Sequence, residues 1–155
     1  MSSIVKYPYL PEGRKIECIK TNNRFMQEAK KIADEKSLDH NVPTGAVLVK
    51  DNRVIGGGAN GSSFHENNEC IRVKNKMPSG QRYDLCEGCD PKNHAEPSAI
   101  LDAKENGNSK LIKGSSLYLY GHWWCCKPCW DVMIENGIEH VYLAEGSAEL
   151  FDKKR

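Results

Sequence analysis

The sequence predicts an α/β protein, a three-layer α/β/α sandwich in which helices cover both faces of a mixed sheet. The first observation is an alternation of helical and strand-like apolar spacing, in the order α-β-β-α-β-α-β. The second is length, because 155 residues suffice for one domain with a substantial core. We therefore expect a single domain over residues 21–155, preceded by an irregular segment, residues 1–20, that contains Pro8, Pro11 and Gly13.

A helix and a hairpin are predicted in the first half of the chain. Residues 22–37 carry apolar side chains at helical spacing, namely Phe25, Met26, Ala29, Ile32 and Ala33. After them GAVLVK, DNR and VIGGG predict a strand, a tight turn and a second strand. Gly56, Gly58 and Gly61 match the dinucleotide-binding pattern G-x-G-x-x-G, but the residues that follow have no helical period. Since that pattern needs a helix to begin there, we expect a bent strand end instead.

The second half of the chain alternates helices and strands. A helix is predicted from His94 through AEPSAILDAKENG, with Pro97 in its first turn and Gly107 near its end. SSLYLYG is predicted as a strand, KPCWDVMIENG as a helix with Pro128 in its first turn, and EHVYLAE as a further strand. A short helix at residues 148–153 is expected after it.

Composition and charge argue against several classes of protein. The 22 basic and 21 acidic residues give a net charge of +1 without a basic stripe, so the sequence does not indicate a nucleic-acid-binding protein. No stretch approaches the roughly 18 apolar residues of a membrane span, and the N-terminus lacks the apolar core of a signal peptide. We therefore expect a cytoplasmic protein in which the seven cysteines serve metal binding or catalysis before disulfides.

Three cysteines lie together in the segment GHWWCCKPCW. Cys126 and Cys129 share one face of the predicted helix start, where the amino end of a helix favours thiolates. His94 and two thiolates would leave one position of a zinc ion open, which is the catalytic arrangement. Cys125 with Cys129 is the alternative pair, disfavoured because Pro128 places the helix start near Cys126.

Two other classes of protein compete with a zinc enzyme. One is a closed, non-catalytic zinc module that binds nucleic acid or protein, and the other is a thiol oxidoreductase that uses the CxxC motif. Neither requires Glu96, which follows His94 by two residues at the predicted helix start. At a helix N-terminus, the Glu96 carboxylate gains from the helix dipole.

The segment NHAEPSAI, followed 32 residues after His94 by Cys126-x-x-Cys129, resembles the zinc-dependent cytidine and deoxycytidylate deaminase superfamily. The resemblance covers about residues 22–145 and implies a cytidine-deaminase-like fold. It implies that a catalytic zinc, which activates a water, is held by His94, Cys126 and Cys129. It also implies that Glu96 transfers protons during hydrolytic deamination. Cys125 departs from the motif, since the family usually has proline there. Related deaminases usually assemble, so we expect a homo-oligomer.

The resemblance also implies a small-molecule substrate, a cytosine nucleotide. Gly58-Ala-Asn60-Gly61 is similar to the G-Y-N-G segment of deoxycytidylate deaminases, which implies that Asn60 hydrogen-bonds the nucleotide sugar. The N-x-E pattern of nucleoside cytidine deaminases and the D-P-T of tRNA adenosine deaminases are both missing. We therefore expect conversion of dCMP to dUMP, with cytidine, guanine, adenine or a base in RNA as alternative substrates. Trp123 and Trp124 either border the base or belong to the core. The candidate phosphate ligands are Arg72, Lys74, Arg82 and Lys92.

A second, structural zinc is predicted in the long segment 59–93. Its cysteines and one histidine make a closed four-ligand set, His65, Cys70, Cys86 and Cys89. The segment has too few apolar side chains to offset its ordering by burial alone, and a structural zinc would supply that stabilisation. His122 and His40 are alternatives to His65, and free thiols are the alternative to the whole site.

Overall fold

The computed structural model describes residues 10–38, 43–61, 93–122 and 124–147. Its strands are β1 (Ile16–Ile19), β2 (Gly45–Lys50), β3 (Arg53–Ala59), β4 (Ser116–Tyr120) and β5 (His140–Ala144). Its helices are α1 (Arg24–Lys36), α2 (Ala95–Glu105), the short α3 (Ser109–Ile112) and α4 (Lys127–Glu135). The predicted helix at residues 148–153 lies outside the described residues. No helix in the described ranges is long and apolar enough to cross a membrane.

The strands form one mixed sheet in the order β1-β5-β4-β2-β3. β2 is antiparallel to both of its neighbours, whereas β5 is parallel to both β4 and β1. Successive side chains of β4 point to opposite faces of the sheet. Leu117 and Leu119 join the core beneath α2 and α4. Tyr118 and Tyr120 pack on the opposite face, which α1 covers. Helices therefore cover both faces, which confirms the predicted α/β/α sandwich.

The hairpin between β2 and β3 is confirmed at the predicted place. Its two turn residues, Asp51 and Asn52, have φ values of 50° and 66°. Positive φ at both central residues gives a two-residue turn the twist that suits a hairpin, and Asp and Asn tolerate this conformation well. The pairing shifts by one residue between Leu48 and Val49, which is a β-bulge.

α2 packs directly on β3 because two glycines of that strand have no side chain. A Cβ atom at Gly58 would lie 2.5 Å from the backbone nitrogen of Ala99, and one at Gly56 would lie 2.6 Å from the Ala99 carbonyl oxygen. Only glycine fits at such distances. Gly56 and Gly58, two of the three glycines that match the pattern G-x-G-x-x-G, therefore allow the helix to pack closely on the strand. Their strand is antiparallel to β2, so it is not part of the parallel unit that a dinucleotide site requires.

The prediction that residues 1–20 are irregular is wrong for Ile16–Ile19, which form β1. This strand pairs with β5 over four residues, from Ile16 opposite Val141 to Ile19 opposite Ala144. Four residues are too few for a recognisable alternating pattern. The strand forms because β5 would otherwise present unpaired backbone groups at that side, so a distant partner decides its structure.

Candidate active site

Two helices begin at the candidate site, and the residue that caps each one is a predicted metal ligand. His94 is the N-cap of α2, with φ and ψ of −77° and 160°, and Cys126 is the N-cap of α4, with −73° and 160°. Pro128 lies in the first turn of α4, where its fixed φ suits a helix and its missing N–H costs nothing. The helix therefore starts where the proline predicts, with Cys129 inside it and Cys125 before it.

The structure brings His94, Cys126 and Cys129 together as the group among the described residues that could hold a metal ion. The Nδ1 atom of His94 lies 3.4 Å from Sγ of Cys126 and 3.3 Å from Sγ of Cys129. The two sulfurs are 3.1 Å apart. Tetrahedral zinc, with bonds of about 2.3 Å to sulfur and about 2.0–2.1 Å to nitrogen, puts neighbouring donors roughly 3.5–3.8 Å apart. Movements of a few tenths of an ångström would let these donors fit zinc.

The two thiols of the cluster differ in their tendency to ionise. The hydrogen bond between the Cys126 and Cys129 side chains holds the pKa of Cys126 well below its ordinary value, and the neighbouring His94 lowers it further. Burial raises the pKa of Cys129 well above its ordinary value. A thiolate at Cys126 also gains from the positive end of the α4 dipole. These effects favour the thiolate form of the N-cap sulfur, which suits a cationic ligand.

Glu96 is a buried carboxyl beside this cluster. It lies in the first turn of α2, two residues after His94, and its side chain is 4% exposed. Burial raises its pKa, and the negative charge on Cys126 raises it further, whereas His94 lowers it. A carboxyl whose proton affinity is increased by its surroundings is better suited to accept a proton from a reacting group and return it.

Cys125 contacts Glu96 and lies outside the cluster of three donors. It is fully buried, and its side chain lies beside the Glu96 carboxyl. Burial raises the pKa of its thiol well above the ordinary value, so Cys125 remains a neutral thiol. The three neighbouring cysteines thus have two different environments.

Asn60 lies at a junction between three parts of the chain. Its backbone nitrogen donates to Thr44, its carbonyl oxygen accepts from Leu38, and the nitrogen of the next residue, Gly61, donates to the carbonyl of Asn93 at 2.9 Å. Asn93 directly precedes His94. The end of β3 is therefore held against the start of the helix that carries the candidate histidine and carboxyl.

Most of the chain, including the candidate site, matches a known protein family. The model of the cytidine and deoxycytidylate deaminase zinc-binding region matches residues 19–145. The chain belongs to this deaminase family. The deaminase family consists of zinc-dependent hydrolases, and the match includes all three clustered donors and Glu96.

One curated protein is distantly similar to this chain. ComE operon protein 2 of Bacillus subtilis (strain 168) is 31% identical over 134 residues, which are 84% of this chain and 62% of that protein. This chain thus spans less than two thirds of that relative's length.

Two solved structures are also similar. The dCMP deaminase of cyanophage S-TIM5, in complex with dCMP and dUMP, is 20% identical with a TM-score of 0.52, covering 77% of this chain and 79% of that one. It shows the shared cytidine-deaminase-like fold. A diaminohydroxyphosphoribosylaminopyrimidine deaminase/5-amino-6-(5-phosphoribosylamino)uracil reductase from Thermotoga maritima is 26% identical, with a TM-score of 0.48 over 77% of this chain and 28% of that one.

Several predicted residues of this deaminase chain lie outside the described residues. They are the second-zinc candidates His65, Cys70, Cys86 and Cys89, the alternative ligand His40, the phosphate candidates Arg72, Lys74, Arg82 and Lys92, and Trp123. Trp124 is half-buried and packs against the core cluster beneath α2 and α4. His122 is engaged locally, with Nδ1 2.6 Å from the carbonyl oxygen of Trp124.

Ser37 and Thr44 were not among the predicted site residues, although both contact the Asn60 side chain. Ser37 follows the last residue of α1, and Thr44 precedes β2. A polar residue directly beyond a predicted element was the available signal, but such residues are common at helix and strand ends.

Proposed function

We propose that this protein is a zinc-dependent hydrolytic deaminase of a cytosine nucleotide, converting dCMP and water into dUMP and ammonia. The observation that carries the proposal is the buried Glu96 carboxyl beside three converging donors, His94, Cys126 and Cys129. A zinc module that only stabilises a fold has no use for a buried carboxyl at this place, since burying it is costly.

The roles of the residues follow from their chemistry. His94, Cys126 and Cys129 would hold the zinc, which supplies Lewis acidity for the activation of water. Glu96 would accept the proton of the attacking water, deliver a proton to the ring nitrogen and then protonate the leaving amino group. Burial suits this exchange, because it brings the affinity of the carboxyl for protons closer to that of its reaction partners.

Asn60 supports a nucleotide as substrate. The segment Gly58-Ala-Asn60-Gly61 is similar to the one in deoxycytidylate deaminases, and Gly61 is hydrogen-bonded to the residue before His94. A side chain so close to the start of α2 is suitably located to bind the sugar of a substrate whose base lies at the cluster. Cytidine, guanine, adenine and a base in RNA are the alternative substrates.

The proposal is tested by incubating the zinc-loaded protein with cytosine, adenine and guanine bases, nucleosides and nucleotides, and measuring ammonia and the deaminated product. Ammonia and dUMP from dCMP are expected, and the variant Glu96→Gln, prepared with the same zinc content, is the matched inactive control. Preferential turnover of a purine compound would show that the substrate is a purine and not dCMP. Zinc-loaded protein that deaminates none of the panel would favour the non-catalytic zinc module.

A further inference from the structure

The close contact between α2 and β3 is formed by small residues. A Cβ atom at Gly56 would lie 2.7 Å from the Cβ of Ala103, and one at Gly58 would lie 2.5 Å from the backbone nitrogen of Ala99. Ala99 and Ala103 are fully buried there. Larger side chains fix two packed elements by interlocking, and neither glycine nor alanine offers them. The contact therefore brings the helix close to the strand but fixes its position along the strand only weakly.

A hydrogen bond between Asp102 and Gly57 supplies this constraint. Oδ2 of Asp102 accepts from the backbone nitrogen of Gly57, which lies between the two glycines of the contact, at 2.9 Å. β3 is at the edge of the sheet in the described part of the chain, so its outward N–H groups have no strand beside them. A carboxylate acceptor makes a stronger bond than a neutral one. One position of α2 is thus tied to one position of β3.

The helix transmits this constraint to the candidate site. Its N-cap is His94, and its first turn contains Glu96, six residues before Asp102. Because an α-helix rises about 1.5 Å per residue, about 9 Å of continuous helix separates Glu96 from Asp102. A shift of α2 along β3 would therefore move His94 and Glu96 together, relative to Cys126 and Cys129 at the start of α4.

Asn108 makes a similar bond to the same strand without belonging to α2. Its Nδ2 atom donates to the carbonyl oxygen of Ile55 at 2.8 Å. Asn108 follows α2, which ends at Glu105, and is the N-cap of the short helix α3. Its bond stabilises the edge strand beyond the end of the helix that carries the candidate site.

We propose that Asp102 is a positioning residue for the candidate active site, because its bond to the Gly57 N–H fixes α2 along β3. It thereby places His94 and Glu96 against the two sulfurs of the cluster. Asp102 is nearly two helical turns from Glu96, so it acts through the helix. The part that concerns Glu96 rests on the proposed function, whereas the part that concerns His94 involves the metal cluster alone.

Substitutions at Asp102 separate this role from a general contribution to stability. Asp102→Asn keeps an acceptor oxygen, and Asp102→Ala removes it. Asp102→Glu keeps the acceptor and the charge on a longer side chain, so we expect it to fold even if Asp102→Ala does not. Asn108→Ala is the matched control, because it removes one hydrogen bond to the same strand outside α2.

Two readouts on the zinc-loaded protein report on the two site residues. The rate at which excess chelator removes zinc from the cluster reports on His94, and kcat with dCMP reports on Glu96. If zinc leaves in two phases, the phase that is missing in Cys126→Ala belongs to the cluster. The melting temperature of each variant measures its loss of stability.

Asp102→Ala should speed zinc loss and lower kcat, each about tenfold, as is typical when a group that orients a metal ligand or a catalytic group is removed. Its KM should change less than about twofold, because the residue acts on the catalytic groups and not on substrate binding. Asp102→Glu should change both rates in the same direction, and Asp102→Asn should match wild type. Asn108→Ala should lower the melting temperature about as much as Asp102→Ala but keep both wild-type rates.

The outcomes distinguish positioning from stability and from the proposed function. If Asp102→Ala keeps the wild-type rate of zinc loss or, in an active protein, the wild-type kcat, the inference is overturned. Equal impairment of both rates in Asn108→Ala would also overturn it. If Asp102→Ala does not fold, wild-type rates for Asp102→Glu would have the same consequence. If the wild-type protein deaminates no compound of the panel, the proposed function fails, and zinc loss alone decides the inference.

Discussion

The thiol of Cys125 lies beside the carboxyl of Glu96 in the protein interior. Cys125 is fully buried and Glu96 is 4% exposed, so water competes little for this contact. The next residue, Cys126, belongs instead to the cluster with His94. Two adjacent cysteines thus lie next to different groups of the site, since neighbours in the chain at a helix start point in different directions.

Changing the three cysteines one at a time should separate their roles. Cys126→Ala and Cys129→Ala should each lose the zinc of the cluster, whereas Cys125→Ala and Cys125→Pro should retain it. Metal analysis of the purified variants checks this. If Cys125→Ala lost the zinc and Cys126→Ala kept it, the ligand pair would be Cys125 and Cys129 instead.

Replacing Glu96 by alanine should abolish turnover while zinc remains bound. The carboxyl is outside the group of donors, so metal affinity should persist, whereas losing a general acid–base group costs at least about 10²–10⁴-fold in rate. Ammonia release and zinc content are measured on the same sample. Glu105→Ala is the matched control, an exposed glutamate at the end of the same helix. Full activity of Glu96→Ala would exclude the proposed deaminase mechanism.

Deamination of dCMP should be far more efficient than deamination of deoxycytidine. Charge-assisted hydrogen bonds contribute about 1.5–3 kcal/mol each, so a single contact between the phosphate and a basic side chain corresponds to at least about a tenfold difference in kcat/KM. The candidates are Arg72, Lys74, Arg82 and Lys92. Comparison of kcat/KM for the two substrates checks the prediction. Equal values would argue for a nucleoside deaminase without affecting the proposed chemistry.

Metal-replete protein should contain two zinc ions per chain. Cys86→Ser should lower the content to one and reduce thermal stability strongly, because a structural zinc supplies about 10 kcal/mol or more toward folding. Cys129→Ser should also lose one zinc but destabilise the protein less. Cys18→Ser, at an exposed cysteine in β1, is the control that should keep both. One zinc per chain in fully loaded wild-type protein would exclude the second site.

Adding one methyl group at Gly58 should destabilise the protein and impair activity. The new Cβ would lie 2.5 Å from the backbone nitrogen of Ala99, so α2 must move away from β3, at a cost of about 1–3 kcal/mol for overpacking. Gly57→Ala is the matched control, since its Cβ would meet mainly the end of the flexible Ile32 side chain. Denaturant unfolding and kcat of both variants check this. Equal effects would show that the contact with α2 is not critical.

Helices and turns with local sequence signals could be predicted without the structure. Residues 24–36 form a helix because apolar side chains recur at its period, and Asp51 and Asn52 turn the hairpin because both tolerate positive φ. Pro128 marked the start of α4, which was enough to separate Cys125 from Cys126. Each of these features depends on a few consecutive residues.

Contacts between residues that are distant in the chain depend on how the helices and strands pack. His94 lies 3.4 Å from Cys126 because the helices that these residues cap pack on the same face of the sheet. The close packing of α2 on that face requires that residue 58 has no side chain, as in Gly58. The pairing of β1 with β5 and the contact of Ser37 with Asn60 likewise join segments that are far apart in the chain. No local pattern encodes such contacts, because their free energy is gained only when the sheet order and the helix positions already exist.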